Sequence, residues 1–394
     1  MMCTEMNKVV SRIRFVVALA VATFASVSCS VAPTSGDHRY TESAALSDVT
    51  TGAMTFVWTT TPDLASTGFF AAVIDAAADR ATGSEIDSQN RSYSPAFPLW
   101  SDGLAKRRWI QLPAGAQIDT TNFNFWVFPV GTKIWKEFSK VTPGSDSGDG
   151  AAAAETVRLV ETRYVHKVDA NTWEFGTYIW QGDSTRLSGD LGTANLVELA
   201  PGISHAAPAF DHCTYCHARG GDPVLGFDAV QLGSQRREGP LPLVGLDLEE
   251  LITEERVVES TPRYVEITAA SDTERKIAGY LQANCAGCHS PAGSVRRFQL
   301  DLSLPLDAAG AVDLASAPFK RMIDQPAEIY VPAVPGFPGF QKLIDPGRPE
   351  SSVLFHRISV RQNPVMMPKI GTSLPDAEFV ELVRQWILSM PVSQ

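Results

Sequence analysis

Two segments of this sequence have the residue types and spacing to do chemistry. They are Cys213-Thr214-Tyr215-Cys216-His217 and Cys285-Ala286-Gly287-Cys288-His289, both C-x-x-C-H. Thiols three positions apart reach the two vinyl groups of one porphyrin as thioethers, and the histidine that follows brings an imidazole nitrogen to the iron. The pair predicts two covalently attached haem c groups, with Cys213, Cys216, Cys285 and Cys288 as attachment points and His217 and His289 as proximal ligands. Three other uses of C-x-x-C compete. A Cys₄ zinc site usually holds its pairs about 15–20 residues apart. Here 68 residues separate Cys216 from Cys285, and zinc does not require a histidine after each pair. A thioredoxin-type redox disulfide belongs in a βαβ context, which is not seen around these motifs. A structural disulfide across a two-residue gap closes an awkwardly small loop. Haem also uses the six cysteines without remainder: Cys3 in the N-terminal signal, Cys29 for lipid and four for attachment.

The elements that must position these motifs divide the chain in two. Residues 50–204 carry Trp58 and the six tryptophans from Trp100 to Trp180. The runs Phe123–Phe128, Lys133–Phe138, Thr156–Val168 and Thr172–Trp180 are rich in β-branched and aromatic residues and bounded by turn residues, which are strand signals. Pro143–Ala154 is mostly Gly, Ser, Asp and Ala and reads as a loop between strands. After residue 205 short helices alternate with Pro- and Gly-rich loops. Ser271 with Glu274 makes a capping box ahead of the second motif. Phe379, Leu382, Val383, Trp386, Ile387 and Met390 recur at helical spacing and predict an amphipathic terminal helix with one buried face.

The N-terminus reads as an export signal over 1–28. Lys8, Arg12 and Arg14 precede a mostly apolar stretch, Phe15–Val27, too short to span a bilayer as a helix. Cys29 follows Ser26-Val27-Ser28, which resembles a bacterial lipobox; residues 29–49 then form a polar tether. The prediction is a periplasmic or outer-membrane protein that meets the membrane through a lipid on Cys29. The 394 residues carry 33 basic and 44 acidic side chains, a net charge of −11. That balance argues against nucleic acid, which calls for a basic face, and suits redox partner proteins with a basic docking face.

The order of the second region is a C-x-x-C-H helix, a long loop, Met366-Met367-Pro368-Lys369 and a terminal helix. It resembles class I cytochrome c. In that family a methionine close to a proline often ligates the iron, which points to Met367, with Met366 as the fallback. The chain past the signal also resembles a family of bacterial exported diheme c-type cytochromes. The segments that carry this resemblance include Phe97–Gly103 with Lys106, Phe128–Thr132, Glu161-Thr162-Arg163, Leu225-Gly226-Phe227, Tyr280–Asn284, Pro291-Ala292-Gly293 and Pro346–Ser351. It implies an α+β chain: a mostly antiparallel β domain over 50–204, then a mostly α, cytochrome c-like region over 205–394. The first haem motif lies at 213–217 and the second haem domain spans about 271–394. The family's biochemical role is poorly defined, so the resemblance implies architecture and haem number better than it implies a reaction.

No methionine lies between His217 and Cys285. Distal candidates for the first haem are His205, His212, His166, His356 and Met322, with an open site as the alternative. Three functions follow from these residues. The first is single-electron transfer between envelope partners, which a Met/His site favours because methionine raises the reduction potential. The second is a diheme peroxidase-type enzyme with an open first haem. In the third, the β domain binds a substrate and the haems serve as its electron outlet, with the tryptophans as a binding face; aromatic side chains at this density are more often core.

Overall fold

The computed structural model describes residues 54–71, 86–144, 155–189, 194–218, 221–233, 245–258, 261–296, 299–327, 342–362 and 365–392. The export signal, Cys29, the tether and most of the Pro143–Ala154 loop lie outside these residues.

The fold mixes α and β structure. In chain order the strands are β1 (Thr55–Trp58), β2 (Arg91–Ser92), β3 (Ala105–Gln111), β4 (Lys133–Thr142), β5 (Thr156–Lys167), β6 (Thr172–Gln181) and β7 (Ser184–Leu187). A hairpin follows, β8 (Asn195–Ala200) with β9 (Ile203–Ala207). The helices are α1 (Phe210–His217), α2 (Ala229–Gly233), α3 (Leu248–Thr253), α4 (Asp272–Asn284), α5 (Val353–Ser359) and α6 (Ala377–Leu388). Two short strands, β10 (Glu266–Thr268) and β11 (Ala311–Asp313), flank α4 and pair in parallel. Seven strands make the main sheet, in the order β1-β6-β5-β4-β3-β2, with β7 also on β6. Its ladders are antiparallel except for β1 on β6.

Register gives the sheet two distinct faces, because successive side chains alternate. On the outer face Trp109, Trp135 and Tyr164 lie directly opposite one another, and Leu64 and Phe69 close over them with Tyr178 and Trp180. On the inner face Ile110, Ile134, Val165 and Phe175 form one row across four strands. That row packs into a core with Phe227, Leu232, Leu248, Ile277, Leu281, Phe319 and Trp386. The core is therefore built from both halves of the sequence, and residues Leu46–Gln394 form one compact unit. Trp109, Trp126, Trp135, Trp173 and Trp180 are all buried, as core side chains rather than a binding face.

Two local readings differ from the structure. Phe123–Phe128 is not a strand: Asn122 accepts from the backbone of Asn124 and Phe125, turning the chain, and only Val127 bridges to Asp119. β3 and the β8–β9 hairpin were not predicted. In β3 the run Lys106-Arg107-Arg108 hides a strand, since consecutive charges carry no alternating apolar signal.

Candidate functional site

The first motif occupies α1. Phe210 anchors that helix, its ring 5.9 Å from Trp58 and 6.4 Å from Phe175 on the inner sheet face. His217, at the last position, sets its ring edge-on to Phe175 at 5.2 Å. Its Nδ1 lies 2.5 Å from the carbonyl oxygen of Pro223. A carbonyl only accepts, so Nδ1 carries the proton and the lone pair is placed on Nε2, the nitrogen a metal would take.

The second motif follows α4. Ser271 caps that helix, its Oγ accepting from Glu274 N at 3.1 Å, as the capping box predicts. The reciprocal bond differs: Glu274 Oε2 accepts from Ala270 N rather than from Ser271 N. Phe97–Gly103 then clamps the helix. Gly279 lies against the Phe97 ring so closely that a Cβ there would sit 2.0 Å from it. Trp100 N donates to Asn284 Oδ1 at 2.7 Å, and Trp100 Nε1 donates to Leu374 O at 2.9 Å. Asp102, at φ 54°, accepts on Oδ1 from Ser373 N and Leu374 N at 2.7 and 2.9 Å. One loop of the sheet region thus ties α4 to the segment leading into α6.

The two motifs touch. Cys216 Sγ and Cys288 Sγ are 3.8 Å apart. Ser294 Oγ donates to Tyr215 O at 2.7 Å, and a Cβ on Gly287 would meet Cys216 O at 3.3 Å. All four thiols are free. Burial pushes Cys213 and Cys285 up to about 12, while Cys288, accepting from Cys216, is lowered to about 7. Among the described residues no three His, Cys, Asp or Glu side chains converge as a metal-holding group.

His289 fits an iron ligand by a different route. Burial, with the cations of Arg357 and Lys369, pulls its imidazole down to about 4, so it is neutral as a ligand must be. Among the described residues its buried Nδ1 meets no hydrogen-bond partner. The field of Lys369 at His289 also puts the Met366–Lys369 loop beside the second motif. That loop is pinned to α5 and its exit: Met367 N donates to Arg357 O at 2.9 Å, and Arg361 Nη1 donates to Met367 O at 3.0 Å.

The distal candidates for the first motif fare unevenly. His205 is fully buried in β9, and both its nitrogens are engaged, Nδ1 by Asp102 Oδ2 at 3.0 Å and Nε2 by Glu161 Oε1 at 3.1 Å. It has no nitrogen left for iron. His166 follows Val165 in β5, so it points to the outer face, away from α1. Met322 is buried in the shared core and His356 on α5. Asp102, Glu161 and His205 each stand in or beside segments that local pattern marks, but their union as a clamp is invisible to it because they lie far apart along the chain. Pro223 likewise carries no signal beyond its nearness to His217. Comparison with protein-family models, with curated proteins and with solved structures gave no match, so the case for this site stands on its residues.

Proposed function

We propose that the chain is an exported diheme c-type cytochrome that passes single electrons between partner proteins of the cell envelope. The observation that carries this is the contact of the two C-x-x-C-H motifs at Cys216 and Cys288, 3.8 Å apart. A chain that holds its two attachment points against each other is built for transfer between them. Haem c, once bound, supplies a one-electron iron couple. The protein's part is to place and tune it. Cys213, Cys216, Cys285 and Cys288 fix the groups covalently. Pro223 orients His217, and burial keeps His289 neutral. Met367, on the loop beside His289, is the sulfur ligand of the second site in a cytochrome c-like arrangement of α4, loop and α6. Export, the lipid on Cys29 and an acidic surface that steers a basic partner belong to the same proposal.

A second reading rests on the first motif's distal side. With His205 held by two carboxylates and His166 on the other face of the sheet, an open axial position there would suit peroxide reduction.

The test is absorption spectroscopy on protein exported through a cytochrome c maturation host. Pyridine haemochrome should count two covalent haems per chain, falling to one in Cys213→Ser/Cys216→Ser. The long-wavelength charge-transfer band of methionine-ligated ferric haem should vanish in Met367→Leu and persist in Met366→Leu. Two low-spin haems support the relay; a high-spin component at the first site favours peroxidase chemistry. No covalent haem, with zinc in its place, overturns both.

A further inference from the structure

The inner face of the sheet carries a second row beside the apolar one. Arg108, Lys136 and Arg163 lie directly opposite one another on β3, β4 and β5, and Lys106 stands two residues from Arg108 on the same face. Like charges facing each other across a sheet are destabilising, and these are not at the rim. Arg108 is 7% exposed. Arg163 alone has an anion, Glu161, its Nε 2.8 Å and Nη2 2.5 Å from Oε1. That same carboxylate also holds His205. Asp102 and Asp376 also act on Lys106, but Asp102 is spent on His205 and two backbone amides, and Asp376 caps α6 by accepting from Phe379 N. Among the described residues no carboxylate is within ion-pair distance of Lys106, Arg108 or Lys136. Lys136 lies over the Phe138 ring, 5.0 Å away, and feels Glu161 only at a distance. Burial and the neighbouring cations push the Lys136 ammonium well down and bring Lys106 to about 7.

This row faces the first motif. α1 packs on the inner face through Phe175, whose neighbour Val165 is two residues from Arg163. The charge of Arg163 acts on both Cys213 and Cys216. A partly buried row of cations short of anions, on the sheet face that carries a porphyrin-attachment helix, has the chemistry of a carboxylate seat. We propose that Lys106, Arg108, Lys136 and Arg163 hold the propionate carboxylates of the porphyrin attached at Cys213 and Cys216. This rests on the haem reading above and assigns the first site its counter-charges. It also gives Lys106 and Arg108 of β3 a common role, while Arg107 between them faces the other side and pairs with Glu137.

The experiment uses the haem-loaded full chain. A propionate beside Lys136 would hold its ammonium charged, so Lys136→Met removes that cation and favours the oxidised iron. One of the two steps in a potentiometric titration should therefore move to lower potential while the other stays. Lys136→Arg should restore it, and Lys106→Met should shift the same step the same way, which covers a failure of either methionine variant to fold. A carboxylate from outside is the rival source. Titrating wild type with acetate at constant ionic strength should leave spectrum and potential unchanged, because the seat is filled. A saturable response to acetate would overturn the assignment in favour of a free anion. Two covalent haems with both steps unmoved in the methionine variants would overturn this proposal and leave the diheme reading standing. Absence of covalent haem would overturn both.

Discussion

His205 shows what single residues do in this fold. Burial favours its neutral form, but bonds to Asp102 and Glu161 outweigh that and raise its pKa. The imidazolium thus joins two carboxylates that reach in other directions, Asp102 to the amides before α6 and Glu161 to Arg163. Removing it strips buried Asp102 of its cationic partner and leaves Glu161 with Arg163 alone, so His205→Leu should cost about 3–5 kcal/mol in denaturant unfolding. The pH dependence has a definite sign. A group whose folded pKa lies above its unfolded value near 6.5 contributes fully below that pH and loses its contribution as pH rises through the folded value. Wild type should therefore lose part of its stability between neutral and alkaline pH, and the difference between wild type and His205→Leu should shrink over that range. Unfolding curves at pH 6 and pH 9 would check this; a difference unchanged across the range would show that the histidine is neutral.

At the scale of elements, the prominent features of the site were legible and its supports were not. Both C-x-x-C-H motifs, the cap at Ser271 and the buried stripe of α6 through Phe379, Val383, Trp386 and Ile387 follow from local pattern. Local pattern also found β4, β5 and β6, because their apolar and aromatic side chains dominate their composition. It missed β3, whose cations make sense only once register sets them across from Lys136 and Arg163. It misread Phe123–Phe128, where aromatic content outvoted two asparagines. It also could not show that Phe97–Gly103 clamps α4, since that contact joins residues about as far apart as the sheet is from the second motif. The clamp yields a prediction. Gly279→Ala puts a methyl into the Phe97 ring, and overpacking of this kind costs about 1–3 kcal/mol. Because α4 ends at Cys285, the strain falls on the second motif. The variant should lose thermal stability in the apparent Tm and load less haem at the second site than at the first. Equal loading at both would mean that α4 shifts without disturbing Cys285.

For the molecule as a whole, the decisive fact is that one core serves both halves. Tyr93, Phe97, Ile110, Trp126, Phe128, Ile134, Trp173 and Phe175 come from before residue 204, and Phe227, Leu248, Ile277, Leu281, Phe319, Val383 and Trp386 from after it. Residue 204 itself lies within β9, so a cut there divides a hairpin. The electrostatics follow the same plan. Asp102 on the sheet side holds the approach to α6, and Lys167 on β5 pairs with Asp222 beyond the first motif at 2.7 Å, both side chains buried. Such a chain unfolds as a unit, because neither half can bury its apolar face alone. The fragment 205–394 should consequently expose Leu248, Ile277 and Phe319, bind an apolar dye and show no cooperative melt, whereas the full chain should melt in one transition. A cooperative melt of that fragment would show that the helical half carries its own core. The rigid union also bears on function: the sheet fixes the first motif through Phe175 and the second through Phe97 and Trp100, so the 3.8 Å approach of Cys216 to Cys288 is held by the whole fold rather than by the linker between the motifs.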